Sequence, residues 1–231
     1  KTRIMALIRQ EIREQVVVRR DLMDPTIPAI WIEISNENLI CGSFYREWRD
    51  NNKDGTIEGQ RIRLKKYIQQ LDSVVMERKN VCAMGDFNLN YQKENDPNYS
   101  VRSLLKELRE AMEERDMYRA DIGPSFKANV RSTRGNEVIE SAIDHVFMTE
   151  TLKDRGRASI VKCGLSDHDI IVSEIKKSSR HVKGTEAAAT FTKRCFTVTT
   201  VSSFVTVILA KNHRKKKVFA VFADSNMNKY E

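Results

Sequence analysis

The stretch "VCAMGDFNLNY", residues 81–91, is a short apolar run that ends in an aspartate, an aromatic and an asparagine. A core strand normally ends in turn residues and nothing more. Immediately upstream, from Glu58 to Lys79, the apolar positions Ile62, Tyr67, Ile68, Leu71, Val74 and Val75 recur at helical spacing between charged residues. A helix that feeds a short apolar strand with a polar far end is the αβ unit of layered folds, in which functional sites collect at strand ends. On this stretch alone, Asp86 and Asn88 could equally be turn formers.

Outward from this unit the pattern continues. "AIWIEIS" at 29–35 alternates Ile30, Ile32 and Ile34 against Trp31 and Glu33, and "NLICGSFY" at 38–45 is an apolar run; together they predict a hairpin that ends at Tyr45. "VVV" at 16–18 is strand-like, and the polar segment 46–57, with Asp54-Gly55, is a loop. Downstream of Pro97 the spacing predicts a helix over about Ser100 to Asp116, with Leu104, Leu105, Leu108 and Met112 on its buried face and Ser100 or Ser103 as cap. "SAIDHVFMT" at 141–149 and "IIVSEI" at 170–175 read as strands, the second preceded by the polar turn "GLSDHD" at 164–169.

With 231 residues and 40% hydrophobic content, the chain can bury a substantial core, which excludes global disorder. It begins at Lys1 with no apolar h-region behind it, so the N-terminus reads as a cut edge without a secretory signal. The four cysteines, Cys41, Cys82, Cys163 and Cys195, have no C-x-x-C spacing; buried, reduced thiols are expected, in keeping with an intracellular protein, nuclear or cytoplasmic. The formal charge of +8 is unevenly placed: residues 1–175 hold 28 Lys+Arg and 29 Asp+Glu, whereas residues 176–231 hold 12 and 3. Composition also shifts to Ser, Thr, Val and Lys after Lys177, which predicts a domain over 1–177 and a basic tail over 178–231. The uncharged run at 195–210 falls short of the roughly 20 apolar residues a membrane span needs, so strands or a helix packing on the body are expected there, not a membrane anchor.

Four polar clusters fall at strand ends or in adjoining turns: Tyr45; Asp86 with Asn88; Asp144; and Asp167 with His168. Each alone is weak. Together, a carboxylate, an amide, a phenol and an imidazole with a spare carboxylate suit in-line attack of water on a phosphate ester. The chain has no G-x-x-x-x-G-K, G-x-S-x-G or H-E-x-x-H motif to compete with this set. Residue chemistry by itself reaches metal-assisted hydrolysis of a phosphate ester.

"MGDFNLN", "SAIDHVF" and "GLSDHDIIV", in this order and with "IWIEI" and "GSFYR" upstream, resemble the endonuclease/exonuclease/phosphatase superfamily. More narrowly, they are similar to the apurinic-type endonuclease domain of non-LTR, LINE-like retrotransposons, over roughly residues 4–177. The resemblance implies an α/β fold, a four-layer αββα sandwich that is incomplete at the N-terminus, and Mg²⁺-dependent hydrolysis of DNA, with Mn²⁺ able to replace Mg²⁺. It also implies a role for each site residue. Asp86 resembles the carboxylate that orients or deprotonates water, and Asn88 the amide that holds a phosphate oxygen. His168 resembles the phosphate-contacting imidazole fixed by Asp144, Asp167 a metal-side carboxylate, and Tyr45 a phenol bonded to the phosphate. Partners implied are DNA and other parts of a retroelement polyprotein.

Complete members of that family carry an Asn and a metal-binding Glu on earlier strands, and this chain starts after both. Glu11, in "LIRQEIREQ", lies only 34 positions before Tyr45, too near to be that Glu, and reads as a solvent-facing strand residue. The expectation is a weakly held metal and little or no nuclease activity. Two other readings stand beside it: a non-catalytic remnant whose basic tail binds nucleic acid or a protein partner, and, ranked lower, a phosphomonoesterase of the same superfamily.

Overall fold

A computed structural model describes residues 4–8, 10–48, 55–132, 135–162, 167–176, 204–212 and 217–224. Cys163, Cys195, most of the loop before Ile57 and much of the 178–231 tail lie outside the described residues. In chain order the strands and α-helices are β1 (Ile4–Ile8), β2 (Val16–Val18), β3 (Ala29–Ile34), β4 (Leu39–Tyr45), α1 (Ile57–Val75), β5 (Asn80–Asp86), α2 (Arg102–Glu113), β6 (Met117–Arg119), β7 (Phe126–Ser132), β8 (Gly135–Ser141), β9 (Asp144–Thr149), β10 (Gly156–Val161), β11 (Ile170–Lys176), β12 (Phe204–Asn212) and β13 (Lys217–Asp224).

The central sheet has the order β2-β3-β4-β5-β9-β6. The 29–45 hairpin closes through a 3-10 turn at Ser35–Glu37 and Asn38 in the left-handed region, and pairs Ala29 with Phe44 through Ile34 with Leu39. Strand β4 then runs parallel to β5, so that α1 is the crossover of a βαβ unit. Thr56 starts α1 by accepting the Gly59 N–H at 3.1 Å, and Leu64, Tyr67, Leu71 and Val74 form its buried face. Arg78, at φ 54°, turns the chain into β5. Helix α2 buries Leu104, Leu105, Leu108 and Met112 as its spacing predicts, but its N-cap position is Val101 and no side chain caps it. Neither Ser100 nor Ser103 has that role.

Alternation along the central strands divides the core in two. On one face Trp31, Ile40, Phe44, Val81, Ala83, Phe87 and Phe147 pack against both helices. On the other, Ile32, Ile34, Cys41, Cys82, Met84, Val146 and Met148 pack against Ile4, Ile171 and Ile175 of the second sheet and Ile12 of the 3-10 turn that follows β1. That sheet has the order β1-β13-β12-β11-β10, with β1 parallel to β13 and the rest antiparallel. The layers are therefore helices, sheet, sheet: the two-sheet sandwich is as expected, but among the described residues both α-helices lie on the six-stranded side, and the second helical layer of the expected αββα arrangement is not among them. Strands β7 and β8 form a separate hairpin.

Glu11 is a correction. It lies in a 3-10 helix at Gln10–Gln15, because β1 ends where its pairing with β13 ends, at Ile8. Cys41 and Cys82 are buried free thiols in register on neighbouring strands, and burial pushes Cys82 up to about 12. Among the described residues, no helix is long and apolar enough to cross a membrane.

Candidate active site

The period of two places the site. Tyr45, Asp86 and Asp144 stand in one row across the sheet, since Tyr45 is the register partner of Asp86 and Asp86 that of Asp144. Their neighbours two residues along the strands, Met84 and Val146, face the second sheet, and so do these three. Asp86 ends its strand and Asp144 begins its own, which brings two carboxylates together at one end of the sandwich.

His168 joins them from the other sheet's side. Its backbone bridges to Phe126, and its ring meets the Phe126 ring edge-on with centroids 4.8 Å apart. Nδ1 donates to Asp144 Oδ2 at 2.8 Å, and the Ser125 hydroxyl donates to the same oxygen at 2.6 Å. This fixes the imidazole with Nε2 directed away from Asp144. Asp86, Asp144 and His168 are all buried, and one ligand atom from each lies within 4.8 Å of the others, a group able to hold a metal ion.

Asn88 adopts φ 51°, a left-handed turn that Asn tolerates. Its backbone N–H donates to Asp86 Oδ1 at 3.0 Å and its side-chain amide to the Arg46 carbonyl at 2.6 Å. Asp167 adjoins His168, and its carbonyl accepts the Lys127 N–H at 2.8 Å. It is not among the three groups whose ligand atoms converge. Tyr45 is part-buried on the inter-sheet core, and its carbonyl accepts the Tyr67 hydroxyl at 2.5 Å.

Three polar residues join the site without having been singled out for it. Ser125 follows Pro124 in an irregular segment where no periodicity marks it. Arg46 is fully buried, with burial pulling its guanidinium down to about 10, still charged at neutral pH. His145, on the helix-facing side of β9, is held near 4 by burial and so is neutral; its Nε2 donates to the Leu89 carbonyl at 2.8 Å while Nδ1 accepts from Arg119 at 3.0 Å.

No protein-family model matches the sequence, and no curated protein is similar to it at the sequence level. Among solved structures, the chain is similar to the endonuclease domain of TRAS1, a telomere-specific non-LTR retrotransposon, with a TM-score of 0.50 and 20% identity over 69% of this chain and 68% of that one. It overlaps less closely with an AP endonuclease from Archaeoglobus fulgidus, at TM-score 0.43, 16% identity and 63% of each chain. For the 3′ phosphatase NExo from Neisseria, solved with a product DNA hairpin, the TM-score is 0.48 and the identity 12% over 70% of each chain. The two-sheet sandwich with its carboxylate-lined end is the endonuclease/exonuclease/phosphatase fold. The solved structure that supports this assignment is the TRAS1 endonuclease domain.

Proposed function

We propose that this chain carries a divalent-metal-assisted phosphodiester hydrolase site whose substrate is DNA. The observation that carries the reading is the convergence of buried Asp86, Asp144 and His168 at one end of the sandwich. The two carboxylates suit a hard cation such as Mg²⁺ or Mn²⁺. A bound cation would supply Lewis-acid polarisation of the phosphate oxygen. The LINE-like motifs and the TRAS1 domain's likeness in fold support DNA over a lipid or small phosphate ester.

The chain's own groups divide the remaining work. Asp86 orients the attacking water and takes its proton, with its carboxylate held by the Asn88 N–H. The second hydrogen of the Asn88 amide meets a phosphate oxygen while the first stays on Arg46. His168 faces the phosphate through Nε2, because Asp144 occupies Nδ1. Asp144 Oδ2 already accepts from His168 and Ser125, so Asp86 and Asp144 would hold a cation weakly, and the cation would supply charge neutralisation at the phosphate.

Nicking of supercoiled plasmid by the purified chain tests the proposal. Only weak cleavage is expected, at high Mg²⁺ or Mn²⁺, blocked by EDTA and abolished in Asp86→Ala; cleavage that survives in Asp86→Ala would overturn it. The excess of 12 Lys+Arg over 3 Asp+Glu in residues 176–231 favours a second reading, non-catalytic nucleic-acid binding. Under that reading, neutralising Arg214, Lys215 and Lys216 lowers affinity and flattens its salt dependence, and no cleavage occurs.

A further inference from the structure

We infer that Arg46 is a positioning residue, whose guanidinium holds the Asp86–Leu89 turn in the conformation that presents Asn88. Three successive carbonyls of this turn are taken by buried donors. Arg46 Nε donates to Phe87 O, Arg46 Nη2 to Asn88 O at 3.1 Å, and His145 Nε2 to Leu89 O at 2.8 Å. The grip is mutual, since the Arg46 N–H donates to Asp86 O at 2.8 Å and the Arg46 carbonyl accepts the Asn88 amide at 2.6 Å.

A rigid planar fork suits two neighbouring carbonyls, whereas an ammonium meets them only as a point charge. Among the described residues, the hydrogen-bond acceptors of the Arg46 side chain are neutral oxygens, those of Phe87, Asn88 and Gln60, and the Asp86 carboxylate acts on it through its charge. Burying a cation on such partners is costly for packing alone. Its return is geometric: with both carbonyls drawn to one side, the chain passes through φ 51° at Asn88, whose backbone N–H is aimed at Asp86 Oδ1 and whose side-chain amide is held on the Arg46 carbonyl. Gln60 orients the guanidinium from α1 through Nη1 at 3.3 Å, and its own amide donates to Gly55 O at 2.9 Å.

Arg46→Lys separates this role from bulk stability. Amide exchange at Phe87 and Asn88 is expected to speed up by about tenfold or more relative to Cys82 and Met84 in β5, whose protection reports the whole sheet. A uniform change along β5 and the turn, or none, would overturn the inference. If the variant does not fold, the wild-type protein decides: a measurable coupling across the hydrogen bond from Arg46 Nε to the Phe87 carbonyl supports the clamp, and a rapidly exchanging Nε–H overturns it. The kinetic arm rests on the proposed hydrolase reading. There Arg46→Lys lowers kcat by about 10- to 100-fold with little change in KM, and an unchanged kcat counts against the clamp. Absence of cleavage by the wild-type chain would sink the hydrolase reading alone, because the exchange pattern tests the turn without it.

Discussion

A Cβ placed on Gly85 would stand 2.1 Å from the Phe44 carbonyl oxygen and 2.9 Å from Phe44 Cα, and backbone atoms of a paired strand cannot step aside. The residue before Asp86 is thus a glycine because the β4 backbone at Phe44 leaves no room for a side chain there. Gly85→Ala should lower stability by about 1–3 kcal/mol or more, read as a fall in the urea midpoint, and an unchanged midpoint would contradict the close approach. At this scale the sequence was informative wherever a polar residue interrupted an apolar alternation. Asp86 and Asp144 bound their strands, and the structure brings them into one group with His168. Ser125 and Arg46 were harder to read, because a buried polar side chain is specified by its partner across the fold and no local pattern encodes that partner. Arg46 did stand in the "GSFYR" motif, but its burial beneath the Asp86–Leu89 turn is a tertiary fact.

Elements with a strong period were legible, and those held by tertiary contacts were not. The 29–45 hairpin, both helices, β5, β9 and β11 follow the pattern of their apolar residues. In the β7–β8 hairpin only β7 alternates, with Phe126, Ala128 and Val130 between polar residues; on β8 Val138 and Ile139 are adjacent and exposed, so no shared period marks the pair. A cluster of ions shows how elements are joined beyond the reach of periodicity. Arg19, just after β2, meets Glu33 of β3 at 2.7 Å and also pairs with Glu77 after α1, while Lys79 meets Glu33 at 2.8 Å and Glu77 at 2.9 Å. Arg19 first, then Lys79, holds the Glu77 carboxyl down at about 2. With the folded value below the unfolded one, near 4.5, the contribution is complete above pH 4.5 and lost as pH falls toward 2. The side chain is partly exposed, so solvent screening leaves about 1–2 kcal/mol. Urea unfolding from pH 6 to 2 should show this loss, and Glu77→Gln should remove that share of the slope.

For the whole molecule, the sheet order carries a consequence that composition alone disguised. The shift in composition after Lys177 reads as a body and a basic tail of uncertain structure, and within that tail β12 and β13 stand between β1 and β11 in the five-stranded sheet. Among the described residues, β1 pairs only with β13, and β13 is joined to β11 only through β12. A chain ending at residue 177 would keep the β10–β11 pair and lose the other three pairings of that sheet. Ile4 and Ile12 would lose the sheet that holds β1 over Ile32, Cys41 and Met84, and the inter-sheet core would open to water at the face that carries Tyr45, Asp86 and Asp144. Exposing several buried aliphatic side chains costs about 1.5–3 kcal/mol each, a large share of the 5–15 kcal/mol that stabilises an ordinary domain. The truncated chain is therefore expected to unfold at much lower urea concentration, or to lose its cooperative transition, and to bind dyes specific for exposed apolar surface. A chain of residues 1–177 with the midpoint and slope of the full chain would show that its body folds without these strands and would refute this placement of the tail.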